Sequence, residues 1–195
     1  TPSITEDNVT TSLQLTRFTN FLGKDIDGIN YNFVVLNSNT VSKNTSTFSF
    51  ANVEIQQGVA TTVQYVMNST NTKRKFRVPS ANVDTDTVEV RVIESTTNTD
   101  TTIYSKSNNI TDLNSNSTVY FLEEADDLTY NIYFGDGVFG EAPTDGSLIL
   151  ISYVSTQGTS AHGANNFTLL DSVSGSALVY PISPATNGND KESID

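Results

Sequence analysis

The sequence contains a literal match to the glycine pattern of dinucleotide-binding folds, Gly135-Asp136-Gly137-Val138-Phe139-Gly140. That pattern works by placing a pyrophosphate at the N-terminus of the helix that follows. Here Asp145-Gly146 and an apolar run typical of a strand follow instead. Because no helix supplies amide groups and a dipole, we predict a hairpin loop and no cofactor. In such a loop glycine permits unusual backbone angles, and Asp136 and Asp145 cap exposed amides.

Two charged segments are the next candidates. Glu123-Glu124-Ala125-Asp126-Asp127 places four carboxylates between two predicted strands. A solvated turn is the favoured interpretation, and a calcium loop or the acid pair of a glycosidase is the alternative. The other segment holds four of the ten basic residues, and it is interpreted either as a protein contact or as a solvated strand end. Its basic residues are Lys73, Arg74, Lys75 and Arg77.

The sequence has few residues of the types that other catalytic and metal sites require. The chain has no Cys and a single histidine, His162, which excludes thiol catalysis, cysteine-ligated zinc and multi-histidine metal sites. The segment around His162 does not fit the Gly-x-Ser-x-Gly pattern of a hydrolase nucleophile. We therefore predict no catalytic residue, no metal site and no small-molecule substrate.

Charge and composition restrict the partners and the fold. The formal net charge of −12 disfavours nucleic acid and anionic membranes as partners. No run of 18 apolar residues is present, so no transmembrane helix is predicted. Asn, Thr and Ser account for 71 of the 195 residues. These residues prefer caps, turns and strand faces to helix interiors, and a helical bundle is therefore disfavoured.

The elements that must position these residues are strands. Val88, Val90 and Val92 alternate with Glu89 and Arg91, and similar alternation is found at 59–67 and 128–134. Segment 147–154 is apolar on both parities, which predicts a central strand buried on both faces. The fold predicted is mainly β, with antiparallel, sandwich-like sheets.

Turn-forming residues suggest how this β structure is divided. A boundary is predicted after Pro79, giving an N-terminal β subdomain at 1–80 and a second β subdomain at 81–157. The Gly-, Ser- and Pro-containing tail, 158–195, is predicted to be an extended connector. It is expected to lead into a truncated helix, because Asn189 and Glu192 have the spacing of a helix N-terminus.

Two motifs, which occur in a fixed order along the chain, carry a family resemblance. The first runs from Tyr130 to Gly140 and continues through Asp145-Gly146, the apolar strand, Gly158 and Ala161 to Ala164. The second is the segment 185–194, with Gly188, Asp190 and Glu192 in a Gly-x-Asp-x-Glu-Ser arrangement. Together they resemble the baseplate wedge proteins of T-even-type tailed phages, within the wider baseplate J-like family. Asn187 stands where many members of that family have a second glycine.

The resemblance implies a structural part of the virion tail baseplate that assembles with other wedge proteins and with copies of itself, after a stage in the host cytoplasm. It brings no catalytic residue or cofactor. The residues transferred as family motifs, with a role in local geometry, are Gly135, Asp136, Gly137, Gly140, Asp145, Gly146, Gly188, Asp190 and Glu192.

Two other functions remain open at this level. A receptor- or carbohydrate-binding β domain of a phage fibre or adhesin would share the polar, β-rich composition, and it predicts a cluster of exposed aromatic residues. A glycoside hydrolase or tail lysozyme would require an acidic pair in a cleft.

Overall fold

The computed structural model describes residues 3–5, 10–25, 27–68, 75–95, 100–109, 111–171 and 177–189. Within these ranges the chain is almost entirely β, as predicted, with sixteen strands and one short 3-10 helix, Gly158–Ala161. The strands are β1 Ser3–Thr5, β2 Ser12–Leu15, β3 Asn20–Lys24, β4 Asn30–Val35, β5 Asn39–Ser42, β6 Thr47–Ser49, β7 Ile55–Gln57, β8 Val59–Val66, β9 Lys75–Val78, β10 Val83–Ile93, β11 Thr101–Lys106, β12 Val119–Glu124, β13 Tyr130–Phe134, β14 Leu148–Ser155, β15 Asn166–Leu169 and β16 Ala177–Leu178.

The chain forms two compact units, which we name by their place in the sequence. The terminal unit comprises 1–60 and 156–195, and the inserted unit comprises 61–155. The boundary therefore lies at residue 60, not at the predicted residue 80. The reason is that β9 pairs with β13, and its Phe76 and Val78 are buried in the core of the inserted unit.

The terminal unit is built from three small sheets around an aromatic core. Their strand orders are β15-β3-β4-β7, β16-β1-β6 and β2-β5. Phe33 and Phe167 meet edge-on in the core, with ring centroids 5.1 Å apart. Offset and edge-on contacts of this kind are the favoured geometries of aromatic pairs.

The tail is part of this core, which corrects the prediction of an extended connector. Ala161, Ala164 and Phe167 are buried members of the core cluster, and Val179 packs against it. The tail pairs with earlier strands through β15 with β3 and through β16 with β1. Apolar side chains at these few positions are enough to hold a Gly- and Ser-rich segment against the sheets. The predicted helix start falls mostly in 190–195, outside the described residues.

The inserted unit is a single seven-stranded sheet of order β8-β14-β10-β11-β12-β13-β9. The sheet curls until its two outermost strands approach each other, giving a nearly closed, barrel-like form. Tyr65 of β8 donates a hydrogen bond from its hydroxyl to the carbonyl oxygen of Arg77 in β9, at 2.6 Å. The ring of Tyr65 also lies against that of Phe76, with centroids 5.6 Å apart. Edge strands expose unpaired backbone groups, and a sheet that is nearly closed has little open edge of this kind.

One strand pair departs from the antiparallel pattern. β11 and β12 are parallel, with Ser105 opposite Val119 and Lys106 opposite Tyr120. Parallel neighbours require a crossover connection. Residues 107–118 make this connection. Two of its carbonyl oxygens accept hydrogen bonds from the loop that follows β13.

β14 and its neighbour β10 form the centre of this sheet. β14 has no exposed residue, with one face fully buried and the other partly buried, close to the predicted central strand. The ladder between β10 and β14 shifts register between Asp84 and Glu89. Thr87 fills the irregularity: its hydroxyl donates to the carbonyl oxygen of Asp84 at 2.7 Å and accepts from the amide of Val154 at 2.9 Å. A side chain thus replaces the backbone partner that the β-bulge removes.

Candidate assembly sites

The glycine loop, residues 135–140, follows β13 and satisfies its own backbone groups. The Asp136 carboxylate accepts hydrogen bonds from the amides of Val138, at 2.9 Å, and Phe139, at 3.1 Å. The amide of Gly137 donates to the carbonyl oxygen of Gly140 at 3.0 Å. The next element is the strand β14. The amides of Gly137, Val138 and Phe139 are therefore already bonded within the loop, in agreement with the predicted capping role of Asp136.

Each glycine of this loop meets a different steric demand. A Cβ on Gly135 would lie 2.3 Å from the carbonyl oxygen of Gly140, too close for any side chain. Gly137 and Gly140 have φ angles of 88° and 96°, in the left-handed region that favours glycine. The spacing of the motif is thus explained by backbone geometry.

The loop is also fixed from outside by the crossover connection. Gly140 donates its amide to the carbonyl oxygen of Asn114 at 3.0 Å, and Glu141 donates to that of Ser117 at 2.8 Å. The hydroxyl of Ser117 in turn accepts from the amide of Asn114 at 3.1 Å. Two loops are therefore hydrogen-bonded to each other, which restrains the end of the glycine loop that leads toward β14.

Asp145 and Gly146 form the turn that leads into β14. Ser147 donates its amide to the carbonyl oxygen of Thr144 at 3.1 Å, which closes the turn. Gly146, with φ 85°, donates to the carbonyl oxygen of Met67 at 2.9 Å. This second part of the first motif sets the start of the central strand against the end of β8.

The second motif meets a segment that belongs to the first. Gly188 donates its amide to Nε2 of His162 at 2.8 Å, and a Cβ on Gly188 would lie 2.5 Å from the carbonyl oxygen of Gly158. Ala185 adds two backbone hydrogen bonds, one each with Gly163 and Ala164. His162 is exposed and accepts this bond from a residue 26 positions later, a contact that no local spacing in the sequence indicates. Asp190 and Glu192 lie outside the described residues.

Asn187 adopts a backbone conformation that glycine also favours. Its φ is 66°, a left-handed value. Asn is among the non-glycine residues that tolerate this region best. Asparagine at this position is therefore compatible with the local backbone.

The basic and acidic segments neutralise each other across one face of the inserted unit. Lys75 forms an ion pair with Glu123, and Arg77 forms one with Asp127. These groups lie on β9, on β12 and in the turn before β13, and all are partly exposed. The side chains of Lys73 and Arg74 lie outside the described residues. The predicted protein contact at 73–77 is untested, but two of its cations already have partners within the chain.

The ionisable groups with shifted pKa values have structural explanations. The hydrogen bond from the Thr129 hydroxyl, followed by that from the Thr129 amide and then by the Arg77 guanidinium, holds the pKa of Asp127 below its usual value. Burial, with the nearby charge of Glu141, raises the pKa of Tyr104 to about 12, and burial also raises that of Tyr153.

In the described ranges, no group of three acidic or histidine side chains is arranged to hold a metal ion. No helix in those ranges has the length and apolar character needed to cross a membrane.

Comparison with known proteins gives one partial relationship. No protein-family model matches the chain. The baseplate wedge protein gp6 of Enterobacteria phage T4 is similar, with 31% identity over 80 residues. That similarity covers 33% of this chain and 12% of gp6, so the chain spans much less than two thirds of this relative. Over part of its length, the chain is therefore similar to a phage baseplate protein.

Proposed function

We propose that this chain is a structural component of a phage contractile-tail baseplate, a wedge protein that contributes to the ring around the hub. It acts by assembly with other wedge proteins and copies of itself, and it has no catalytic activity. The observation that carries the proposal is the partial similarity to the T4 baseplate wedge protein. The virion tail is accordingly its final location, after assembly in the host cytoplasm.

The geometry of the motif residues supports this role. The Asp136 carboxylate accepts hydrogen bonds from amides of its own loop. Gly135 and Gly188 allow close backbone contacts. The acidic segment uses Glu123 and Asp127 in surface ion pairs. These motif groups therefore fix backbone conformation or pair with each other, which suits a part that presents defined surfaces to neighbours.

The distribution of aromatic residues opposes the carbohydrate-binding alternative. All eight Tyr and ten Phe lie at described positions, and only Phe139 and Tyr180 are exposed. These two residues belong to different units. A sugar platform requires several neighbouring exposed aromatic faces. Among the described residues, the stacked pair Phe121 and Tyr133 is half-buried, and neither unit has a cluster of fully exposed aromatic rings.

The deciding experiment is to locate the chain in a tail by cryo-electron microscopy of particles that contain it. We expect density for both units in the inner ring of the baseplate. Placement at the tip of a fibre would overturn the proposal, and so would turnover of peptidoglycan by the purified protein. A glycan array supplies the matching control, on which the protein should show no binding.

A further inference from the structure

We propose that Val138 and Phe139, here called the apolar tip, anchor this chain to a different protein through an apolar depression bordered by basic side chains. This inference rests on the proposed function, because it concerns a contact made within the assembled particle. It deepens that function by assigning one contact to two residues and by stating the chemistry of the partner.

The apolar tip is exposed on a rigid support. Val138 is 61% exposed and Phe139 is 50% exposed. Their amides are held by Asp136, and the loop is bonded to the crossover connection through Gly140 and Glu141. Binding therefore does not require the backbone to become ordered, and a preorganised aromatic residue is a favourable interface anchor.

The segments that carry the apolar tip are acidic, which indicates the sign of the partner's charge. From residue 107 to residue 147 the sequence contains no Lys or Arg. Within the two interlocked loops and the following turn, exposed carboxylates are carried by Asp112, Asp136, Glu141 and Asp145. Electrostatic complementarity across an interface favours a partner whose apolar depression is bordered by Lys or Arg.

A second copy of this chain is a poor occupant. Each copy has a net charge of −12, so two anionic tips and their surroundings repel. In the part of the inserted unit that the structure describes, every Lys and Arg is in an ion pair with a carboxylate of the same chain. These pairs are Lys75–Glu123, Arg77–Asp127, Arg91–Glu89 and Lys106–Asp86. The other described cations, Arg17, Lys24 and Lys43, lie in the terminal unit. The net charge of −12 on each copy opposes bringing them to the tip of another copy, so a heterologous partner is favoured.

The test places a photo-crosslinking phenylalanine analogue at position 139 of the full chain and irradiates purified tails. The control carries the analogue at Ile103, a 56% exposed position of the same unit on β11. We expect a crosslink from position 139 to another tail protein, in a peptide containing at least two Lys or Arg residues. A crosslink to a second copy, to a peptide without basic residues, or at no more than the yield of the control overturns the inference.

A double substitution gives an independent readout. We expect Val138→Ser with Phe139→Ser to lower incorporation into tails at least tenfold while leaving the circular dichroism spectrum and unfolding midpoint unchanged. Ile103→Ser should leave incorporation unchanged. Unchanged incorporation of the double variant contradicts the inference. If even the unmodified chain is absent from purified tails by mass spectrometry, the proposed function itself fails, which separates the two outcomes.

Discussion

At the scale of single residues, Gly135 is the position where the glycine loop tolerates least change. Its missing Cβ leaves room for the backbone of Phe139 and Gly140, whose carbonyl oxygens would lie 2.4 and 2.3 Å away. We expect Gly135→Ala to lower the free energy of unfolding by about 3 kcal/mol, since a backbone carbonyl cannot move aside as a flexible side chain does. Chemical denaturation with fluorescence or circular dichroism measures the change.

Gly137 is the matched control for this prediction. It lies two residues further on, with φ 88° and open space where a Cβ would be. Gly137→Ala should therefore cost only the left-handed backbone conformation, about 1 kcal/mol. If the two alanine variants were equally stable, steric contact would not be the reason for glycine at position 135.

Thr87 makes a second residue-scale prediction. It is buried, and its hydroxyl both donates to Asp84 and accepts from the amide of Val154. Thr87→Val keeps the shape but leaves that buried amide without this acceptor, so we expect a loss of about 1–3 kcal/mol. Thermal or urea unfolding of the variant is the measurement.

Thr62→Val is the corresponding control, because the Thr62 hydroxyl bonds Ser152 on the exposed side of β8 and β14. Its cost should stay below about 0.5 kcal/mol. Equal losses in the two valine variants would mean that the bulge does not depend on the Thr87 hydroxyl.

At the scale of elements, opposite charges pair across strands on the face formed by β9, β13 and β12. Arg77→Glu should weaken folding, because it places two carboxylates together, and adding Asp127→Arg should restore the attraction. Since both groups are about half exposed, solvent screens the pair and we expect only a small coupling free energy. A double-mutant cycle at low salt measures it, and high salt should reduce it.

Acid provides a check on the same turn. The pKa of Asp127 is lowered on folding, so its stabilising contribution is present above the unfolded value of 3.8 and is lost as the pH falls through the lower folded value. The Thr129 hydroxyl is the largest cause of that lowering. Thr129→Val should therefore weaken the acid dependence more than Arg77→Ala does, and the opposite order would contradict this assignment.

Strand patterns in the sequence predicted the inserted unit better than the terminal unit. Alternation of Val88, Val90 and Val92 and the apolar run of β14 are local signals, and both strands are observed. Strands such as β5 and β16 have only two to four residues with little alternation, and tertiary contacts alone define them.

Local sequence patterns could not predict contacts between segments that are distant in the chain. The predicted role of Asp136 follows from its own loop, and the structure places it so. The bond of Gly188 to His162 joins two non-strand segments 26 positions apart, and the pairing of Arg77 with Asp127 depends on how strands align. No local spacing encodes either contact. Unit boundaries failed for the same reason, since β9 joins a partner more than 50 positions later in the chain.

At the scale of the whole molecule, stability should depend on alkaline pH through the core of the inserted unit. Burial raises the pKa of Tyr104 from 10.0 to about 12. Its contribution is therefore fully present below pH 10 and is lost as the pH rises toward 12. We expect the unfolding midpoint of Tyr104→Phe to fall less steeply with pH over this range than that of the unmodified protein. Unfolding midpoints at several pH values measure this, and Tyr180→Phe, which removes an exposed hydroxyl, should leave the slope unchanged.

The chain enters the inserted unit in β8 and leaves it in β14, and these strands are neighbours in one sheet. The ends of 61–155 are thus carried by adjacent strands. Its core cluster, which includes Phe76, Val90 and Ile149, is drawn entirely from this unit. We therefore expect a fragment of residues 61–155 to fold alone, with one cooperative unfolding transition and near-ultraviolet dichroism from its buried tyrosines. A fragment of 81–157, cut at the boundary that the sequence alone suggested, lacks β8 and β9 and should not unfold cooperatively. Cooperative unfolding of 81–157 but not of 61–155 would overturn this division of the chain.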